Sequence, residues 1–371
     1  MSEAYAHVLT RFGEALHDRR YPLPDPGPGE VLLRLEVSGV CGSDVHQWQG
    51  LDPRVPLPLI PGHEGVGRVV ATGGEARDVQ GAKLAEGDRI AFNRGVSCMA
   101  CRTCVVLRQP ALCPHRWVYG ITRSCQDPPH LVGCYSSHVL LARNVQTLCL
   151  DDDLSPVVAV TAGCSGATAA HCFEEVRPGF GSRVVIQGPG PIGAYCAAFA
   201  KASGAETIIV VGGTASRLRL CEELGATHTI NRRETTVAER LEEIQELTGG
   251  EGADAVYEAA GDQAAIAEGL KWLRTGGAYV SCGVAEPRGG LEIDFFHDIA
   301  RRNVRLQGIW VSDMRHLLEA VRLVEGQPET FERLVDGRFR FEEANEALEA
   351  VAAREVSKAV LIHDGPSRGA H

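Results

Sequence analysis

Arg183-Val184-Val185-Ile186-Gln187 runs straight into Gly188-Pro189-Gly190-Pro191-Ile192-Gly193, and then into Ala194-Tyr195-Cys196-Ala197-Ala198-Phe199-Ala200. A short apolar strand, a glycine-rich turn and a helix-forming run follow one another without a gap. A lone GxGxxG is a weak signal, but one placed between a strand and a helix has the context the motif requires. Gly188 permits the tight turn, Gly190 lets the backbone approach a pyrophosphate, and Gly193 allows helix and strand to pack closely. Pro191 and Ile192 open a helix whose free N–H groups and positive dipole end suit phosphates. The stretch predicts a dinucleotide-binding βαβ unit.

Downstream, strand and helix signals keep alternating. Thr207–Val211, His228–Ile230, Ala253–Tyr257, Ala278–Cys282 and Val304–Ile309 read as strands. Ser216–Leu224, Val237–Leu247 and Gln263–Leu273 read as helices, the first stopped by Gly225. Six strands with intervening helices make an α/β, doubly wound parallel sheet of the Rossmann type. NAD-specific sheets of this kind usually carry an acidic residue about 20 residues after the glycine motif, for the ribose 2′-hydroxyl. Here the second strand ends at Val211 and is followed by Gly212-Gly213-Thr214-Ala215-Ser216-Arg217. No carboxylate is present to repel a 2′-phosphate, and Thr214, Ser216 and Arg217 can donate to one. The expectation is NAD(P), with NADP mildly favoured over NAD.

Upstream, the first 155 or so residues read differently. Val31–Ser38, Gly65–Ala71 and Asp88–Phe92 are strand-like, and Gly and Pro punctuate them densely, which suggests a compact, mostly β barrel. Two groups of residues there carry chemistry. Cys41-Gly42-Ser43-Asp44-Val45-His46 and Gly62-His63-Glu64-Gly65 offer a thiolate, an imidazole and a carboxylate. These are the donors zinc prefers, and a catalytic zinc keeps one position open. Singly, each residue has a plainer reading, since a lone Cys is more often a small buried hydrophobe. The second group is Cys98-x-x-Cys101-x-x-Cys104 with a later Cys113-Pro114, four thiolates able to close a tetrahedral structural zinc site. Ferredoxins also use Cys-x-x-Cys-x-x-Cys with a following Cys-Pro, but with the fourth Cys only about three residues on.

At 371 residues the chain exceeds what one core usually organises, so two domains are expected. A hydrophobic content of 44% and a charged content of 23% are those of a globular protein. The formal charge of −11 argues against a nucleic-acid surface or an anionic membrane partner. No run of about 18 apolar residues is present, so no membrane span is expected, and Met1-Ser2-Glu3-Ala4 lacks a basic n-region. Thirteen cysteines diluted over this length, and partly clustered at metal spacing, favour a reducing cytoplasm.

Cys41-Gly42-Ser43-Asp44-x-His46 followed by Gly62-His63-Glu64 resembles the catalytic signature of the zinc-dependent medium-chain dehydrogenases, the alcohol dehydrogenase superfamily. The resemblance covers nearly the whole chain. It implies a mostly β, GroES-like catalytic domain formed by residues 1–157 and 311–371, with a structural-zinc lobe at about 95–115. A Rossmann domain at 158–310 would be inserted in it. It implies Cys164 as third ligand beside Cys41 and His63 for a catalytic zinc in the inter-domain cleft, although Cys172 shows that this small-residue region also tolerates an ordinary buried Cys. Cys98, Cys101, Cys104 and Cys113 would hold the second zinc. Asp44 would orient His63, Glu64 would contact the metal, and Ser43 would pass the hydroxyl proton through the cofactor ribose to His46. Lys358 falls at a basic position that touches cofactor phosphates in relatives. Trp48, Trp117 and Tyr119 are candidates for pocket walls, while His115, His130 and His138 read as ordinary histidines. The implied reaction is hydride transfer between an alcohol (primary, secondary or polyol) and the nicotinamide, in a homodimer or homotetramer. The competing readings are an iron–sulfur electron-transfer protein and a catalytically silent nucleotide-binding relative. The tail from Gly365 to His371 is expected to be loose.

Overall fold

The chain opens with an antiparallel hairpin of β1 (Glu3–Val8) and β2 (His17–Pro22). Strand β3 (Val31–Val40) follows, and its eight fully buried positions of ten show that both faces are covered, which is why its alternation is only partial. It leads into the short helix α1 (Gly42–Trp48). Then come β4 (Gly65–Thr72), β5 (Arg89–Phe92) and the two-residue strand β6 (Gly95–Val96). A cysteine-bearing turn of helix, α2 (Arg102–Val105), precedes β7 (Trp117–Val118), β8 (His138–Leu141) and β9 (Thr147–Cys149). Helix α3 (Pro156–Thr161) ends in a π-turn, Ala162–Gly166, and α4 (Ala167–Glu175) continues from it. These coordinates are a computed structural model that describes residues 3–284, 287 and 289–363; the tail from Gly365 lies outside the described residues.

Strands β10 (Arg183–Gln187), β11 (Thr207–Gly212), β12 (His228–Asn231), β13 (Ala253–Glu258), β14 (Leu273–Ser281) and β15 (Arg305–Gly308) form the next sheet. Their helices are α5 (Pro191–Ala202), α6 (Ala215–Leu224), α7 (Val237–Leu247) and α8 (Gln263–Trp272). All neighbours pair in parallel, in the order β12-β11-β10-β13-β14-β15. Numbered within this sheet, that is the Rossmann order 3-2-1-4-5-6, reversing beside the strand that carries the glycine motif. Its core includes Val185, Ile209, Val256, Trp272 and Tyr279. Strand β14 begins at Leu273, earlier than the sequence suggests, because the chain turns extended as soon as α8 ends.

The chain then returns with α9 (Met314–Gly326), α10 (Pro328–Glu332), β16 (Gly337–Arg340), α11 (Ala344–Ala352) and β17 (Ala359–Ile362). Strand β17 pairs antiparallel with β3, so the end of the chain completes the sheet that its beginning started. That sheet has seven strands, ordered β16-β17-β3-β4-β5-β9, with β8 also on β3. Two units result: Met1–Cys164 with Ser312–His371, and Ser165–Val311. By length and composition Pro156–Glu175 could cross a membrane, but 78% of its apolar window is buried inside the protein, as in a core helix.

Candidate metal centres and cofactor site

Helix α1 starts where β3 ends, and Cys41 stands at that junction with extended backbone. The Asp44 carboxylate, 1% exposed, accepts from the Cys41 N–H at 2.8 Å and meets His63 Nδ1 at 3.1 Å. One carboxylate thus fixes the backbone of the thiol and the ring of the imidazole. His63 follows Gly62, whose φ of +88° belongs to the left-handed region. A Cβ at Gly62 would also lie 2.4 Å from Tyr135 Cδ1, so both backbone and space require glycine there.

Cys164 sits in the π-turn between α3 and α4 rather than in regular helix. Such single π-turns widen a helix locally and are frequent at functional sites. The turn brings Cys164 Sγ into a group with donor atoms of Cys41, His63 and Glu64, all within 4.8 Å of one another. Glu64 is divided: Oε2 pairs with Lys358 Nζ at 2.5 Å, while Oε1 is buried and accepts no hydrogen bond. A buried acceptor left open beside two thiols and an imidazole is what a cation site requires. A hydrogen bond shared with Cys41 draws the Cys164 thiol below its ordinary pKa, assisted by the nearby Arg94 charge. Burial disfavours charge on His63, but Asp44 outweighs it and pushes the imidazole up to about 9. Ser43 Oγ lies 3.6 Å from Cys41 Sγ, and His46 is half-buried on the same helix.

The second cluster is Cys98, Cys101, Cys104 and Cys113. Sγ–Sγ separations are 3.5 Å for 101–104, 3.8 Å for 101–113 and 3.5 Å for 98–113. The edge of a tetrahedron with zinc–sulfur arms of about 2.3 Å is roughly 3.8 Å, so the four thiols are spaced for one ion and leave it no open position. Backbone N–H groups point at two of them. The Ala100 N–H lowers the Cys98 pKa, and the Cys104 N–H lowers that of Cys101 to about 6.

In the Ser165–Val311 unit, the glycine motif turns from β10 into α5. Gly188 has φ +99°, and a Cβ on Gly193 would fall 1.8 Å from the Gly188 carbonyl oxygen. The space beside Gly190 is open. The parallel pairing of β11 with β12 sets Gly212 opposite Asn231, which delivers Arg232 and Arg233 to the same strand ends. A Cβ on Gly213 would lie 3.1 Å from Arg233 Nε and 3.4 Å from Arg232 Nε. Thr214 caps α6, which carries Arg217.

Two sequence expectations are corrected, for Lys358 and Tyr119. Lys358 is not a surface cation waiting for phosphate: it is 1% exposed, and its ammonium is taken by Glu64. Tyr119 is buried in the core beside the seven-stranded sheet, donating to the Leu140 carbonyl at 3.0 Å, with Trp117 tilted against it. Trp48 donates its indole N–H to the Glu14 carbonyl. Sequence reading missed Arg232 and Arg233, whose doublet has meaning only once β12 is known to lie beside β11. It also missed Arg94, which is 7% exposed and donates to the Gly163 carbonyl of the π-turn at 3.2 Å.

Comparison with known proteins agrees with this geometry. Residues 27–150 match the alcohol dehydrogenase GroES-like domain, and residues 191–326 match the zinc-binding dehydrogenase domain. The chain is 33% identical to 5-exo-hydroxycamphor dehydrogenase of Pseudomonas putida over 344 residues, 92% of this chain and 93% of that one. It superposes on an alcohol dehydrogenase from Thermotoga maritima with TM-score 0.95 and 44% identity, covering 98% of this chain and all (100%) of that one. A protein described as a zinc-binding dehydrogenase from Sinorhizobium meliloti, solved bound to NADP, gives TM-score 0.84 and 29% identity over 98% of this chain and 100% of its own.

Proposed function

The chain belongs to the zinc-binding dehydrogenases of the alcohol dehydrogenase superfamily, and from that premise we propose how its residues divide the work. The protein is an enzyme, an oxidoreductase that moves a hydride between an alcohol and a nicotinamide dinucleotide. Neither an iron–sulfur electron carrier nor a silent relative finds support among these likenesses. Cys41, His63 and Cys164 hold the catalytic ion, and Cys98, Cys101, Cys104 and Cys113 the structural one. The observation that carries this reading is the convergence of the Cys41, His63, Glu64 and Cys164 donors within 4.8 Å, with Glu64 Oε1 accepting no hydrogen bond.

Zinc bound there supplies Lewis acidity toward the alcohol oxygen, and bound nicotinamide supplies the hydride acceptor. Asp44 keeps His63 in one tautomer and orientation. Ser43, two residues from Cys41, takes the hydroxyl proton, and His46, one helical turn along α1, passes it toward solvent. Gly188, Gly190, Pro191, Ile192 and Gly193 receive the pyrophosphate at the start of α5. Gly212, Gly213, Thr214 and Arg217 border the adenosine ribose, and Arg232 and Arg233 add two guanidiniums that pair with no carboxylate among the described residues. NADP is therefore the preferred cofactor. Self-association as a dimer or tetramer is supported by the edge of β15, unpaired among the described residues, and the exposed Phe295, Phe296, Leu306 and Trp310 near it in sequence.

The test is a panel of primary, secondary and polyol alcohols with NADP and NAD, read at the absorbance of the reduced nicotinamide, alongside elemental analysis. Two zinc ions per chain and turnover with a higher kcat/KM for NADP are expected. Iron in place of zinc would overturn the metal assignment, and a hundredfold preference for NAD would overturn the cofactor assignment.

A further inference from the structure

Arg94 is a buried cation that metal binding does not explain. It lies two residues beyond β5, is 7% exposed, and donates to the carbonyl of Gly163, the residue before Cys164. The negative groups of the first centre, beside it, are already committed. Glu64 belongs to Lys358, and the two thiols belong to the donor set of the first centre. Among the described residues, no carboxylate makes an ion pair with Arg94. Hydrogen bonds to the Gly163 carbonyl and to Cys164 use only part of its five-donor guanidinium.

A second guanidinium stands behind the first. Arg116 lies so close to Gly95 that a Cβ there would fall 1.9 Å from its Nη2, and that nitrogen donates to the Ser312 carbonyl at 3.3 Å. Its Nε is buried with no acceptor. Burial, then the repulsion of Arg94 and Arg54, lower its pKa to about 10. The acids nearby are taken, Asp52 by Arg54 at 2.6 Å and Asp313 by Arg315 at 3.1 Å. A buried guanidinium without a counter-ion is costly, and its planar fork is suited to two-point recognition of an oxyanion.

We propose that the alcohol this enzyme oxidises carries an acidic group, a carboxylate or comparable oxyanion, close to its carbinol carbon, and that Arg94, backed by Arg116, receives that group. The inference rests on the reading of Cys41, His63 and Cys164 as the centre that meets the alcohol oxygen. An anionic substrate supplies Arg94 with a counter-ion not already shared with the metal centre, and a neutral alcohol does not.

The zinc-loaded enzyme is assayed with lactate, 3-hydroxybutanoate and 4-hydroxybutanoate, with the methyl ester of each, with 2-hydroxypropylphosphonate and with simple neutral alcohols. At least one acid should exceed its ester by about 10²-fold in kcat/KM, mainly through KM. Arg94→Gln should bring that ratio to within a few fold while ester turnover persists, and Arg94→Lys should keep part of it. Calorimetric binding of the matching keto acid, without cofactor, should be present in the parent and lost in Arg94→Gln. If Arg94→Gln fails to fold, Arg116→Gln should still reduce the acid preference by about 10-fold. A larger preference for the phosphonate also supports the proposal and identifies the oxyanion. Esters or neutral alcohols used as well as acids by the parent, or a ratio unchanged in Arg94→Gln, overturn it while leaving the dehydrogenase reading intact. No reduction of either cofactor by any alcohol overturns that reading and this inference with it.

Discussion

Asp44 serves two groups with one carboxylate. Its Oδ2 holds the Cys41 backbone and its Oδ1 the His63 ring, inside a site with almost no solvent. Asp44→Asn keeps the shape but removes the charge that fixes the imidazole. Zinc affinity at the first centre should fall about 10–100-fold, measured by competition with a chromogenic chelator, while the Cys98 cluster keeps its ion. Histidines elsewhere in the same unit act on stability instead. Burial pushes His138 down to about 4 and His363 to about 3, with Arg34 adding to the first and His7 and His138 to the second. The unfolded chain protonates both near 6.5, so below that pH it binds protons that the folded state refuses. Their contribution is whole above pH 6.5 and is lost as the pH falls toward 4 and then 3. The double variant His138→Gln, His363→Gln should therefore lose less Tm than the parent between pH 6.5 and 4. Parallel Tm curves for the two proteins would refute this.

Among the elements, the Cys98–Cys113 lobe and the β11–β12 strand ends make separate predictions. Cys101→Ser should remove one of two zinc ions and lower Tm, yet leave kcat of the folded fraction close to that of the parent, because a closed four-sulfur site has no place for substrate. Metal content and kcat measured on the same sample decide it. At the strand ends, Gly213→Asp puts a carboxylate between Arg232 and Arg233, where it neutralises them and repels a 2′-phosphate. The NADP/NAD ratio of kcat/KM should drop by at least about 10-fold. The same change at Gly212 would be uninformative, since its Cβ would fall 2.4 Å from Pro189 Cδ. Here the limits of the sequence become physical. The Gly188–Gly193 turn and the cysteine spacings are local patterns, and they could be read directly. Arg232 and Arg233 reach Gly213 only through strand pairing, Arg94 reaches Cys164 through a π-turn, and Lys358 reaches Glu64 across 294 residues. None of those distances leaves a mark on local periodicity.

At the scale of the whole molecule, strand order makes the same point: a β-α alternation announces a parallel sheet, whereas the closing of β17 on β3 is visible only in three dimensions. That closure also sets a schedule for synthesis. The Ser165–Val311 sheet is built from one continuous run of chain and is complete in sequence before the last sixth of the protein exists. The seven-stranded sheet has to wait. Glu64 and Lys358 are separated by 294 residues, which at common translation rates is roughly 15–60 s on the ribosome. Throughout that interval β3 offers the edge reserved for β17, and Glu64 is a carboxylate without its ammonium. A nascent chain in that state has an open strand available to any neighbour, the condition under which chaperones are needed. A chain stopped after Ser357 would stay in it permanently, and should be recovered in the insoluble fraction when expressed beside the full-length enzyme.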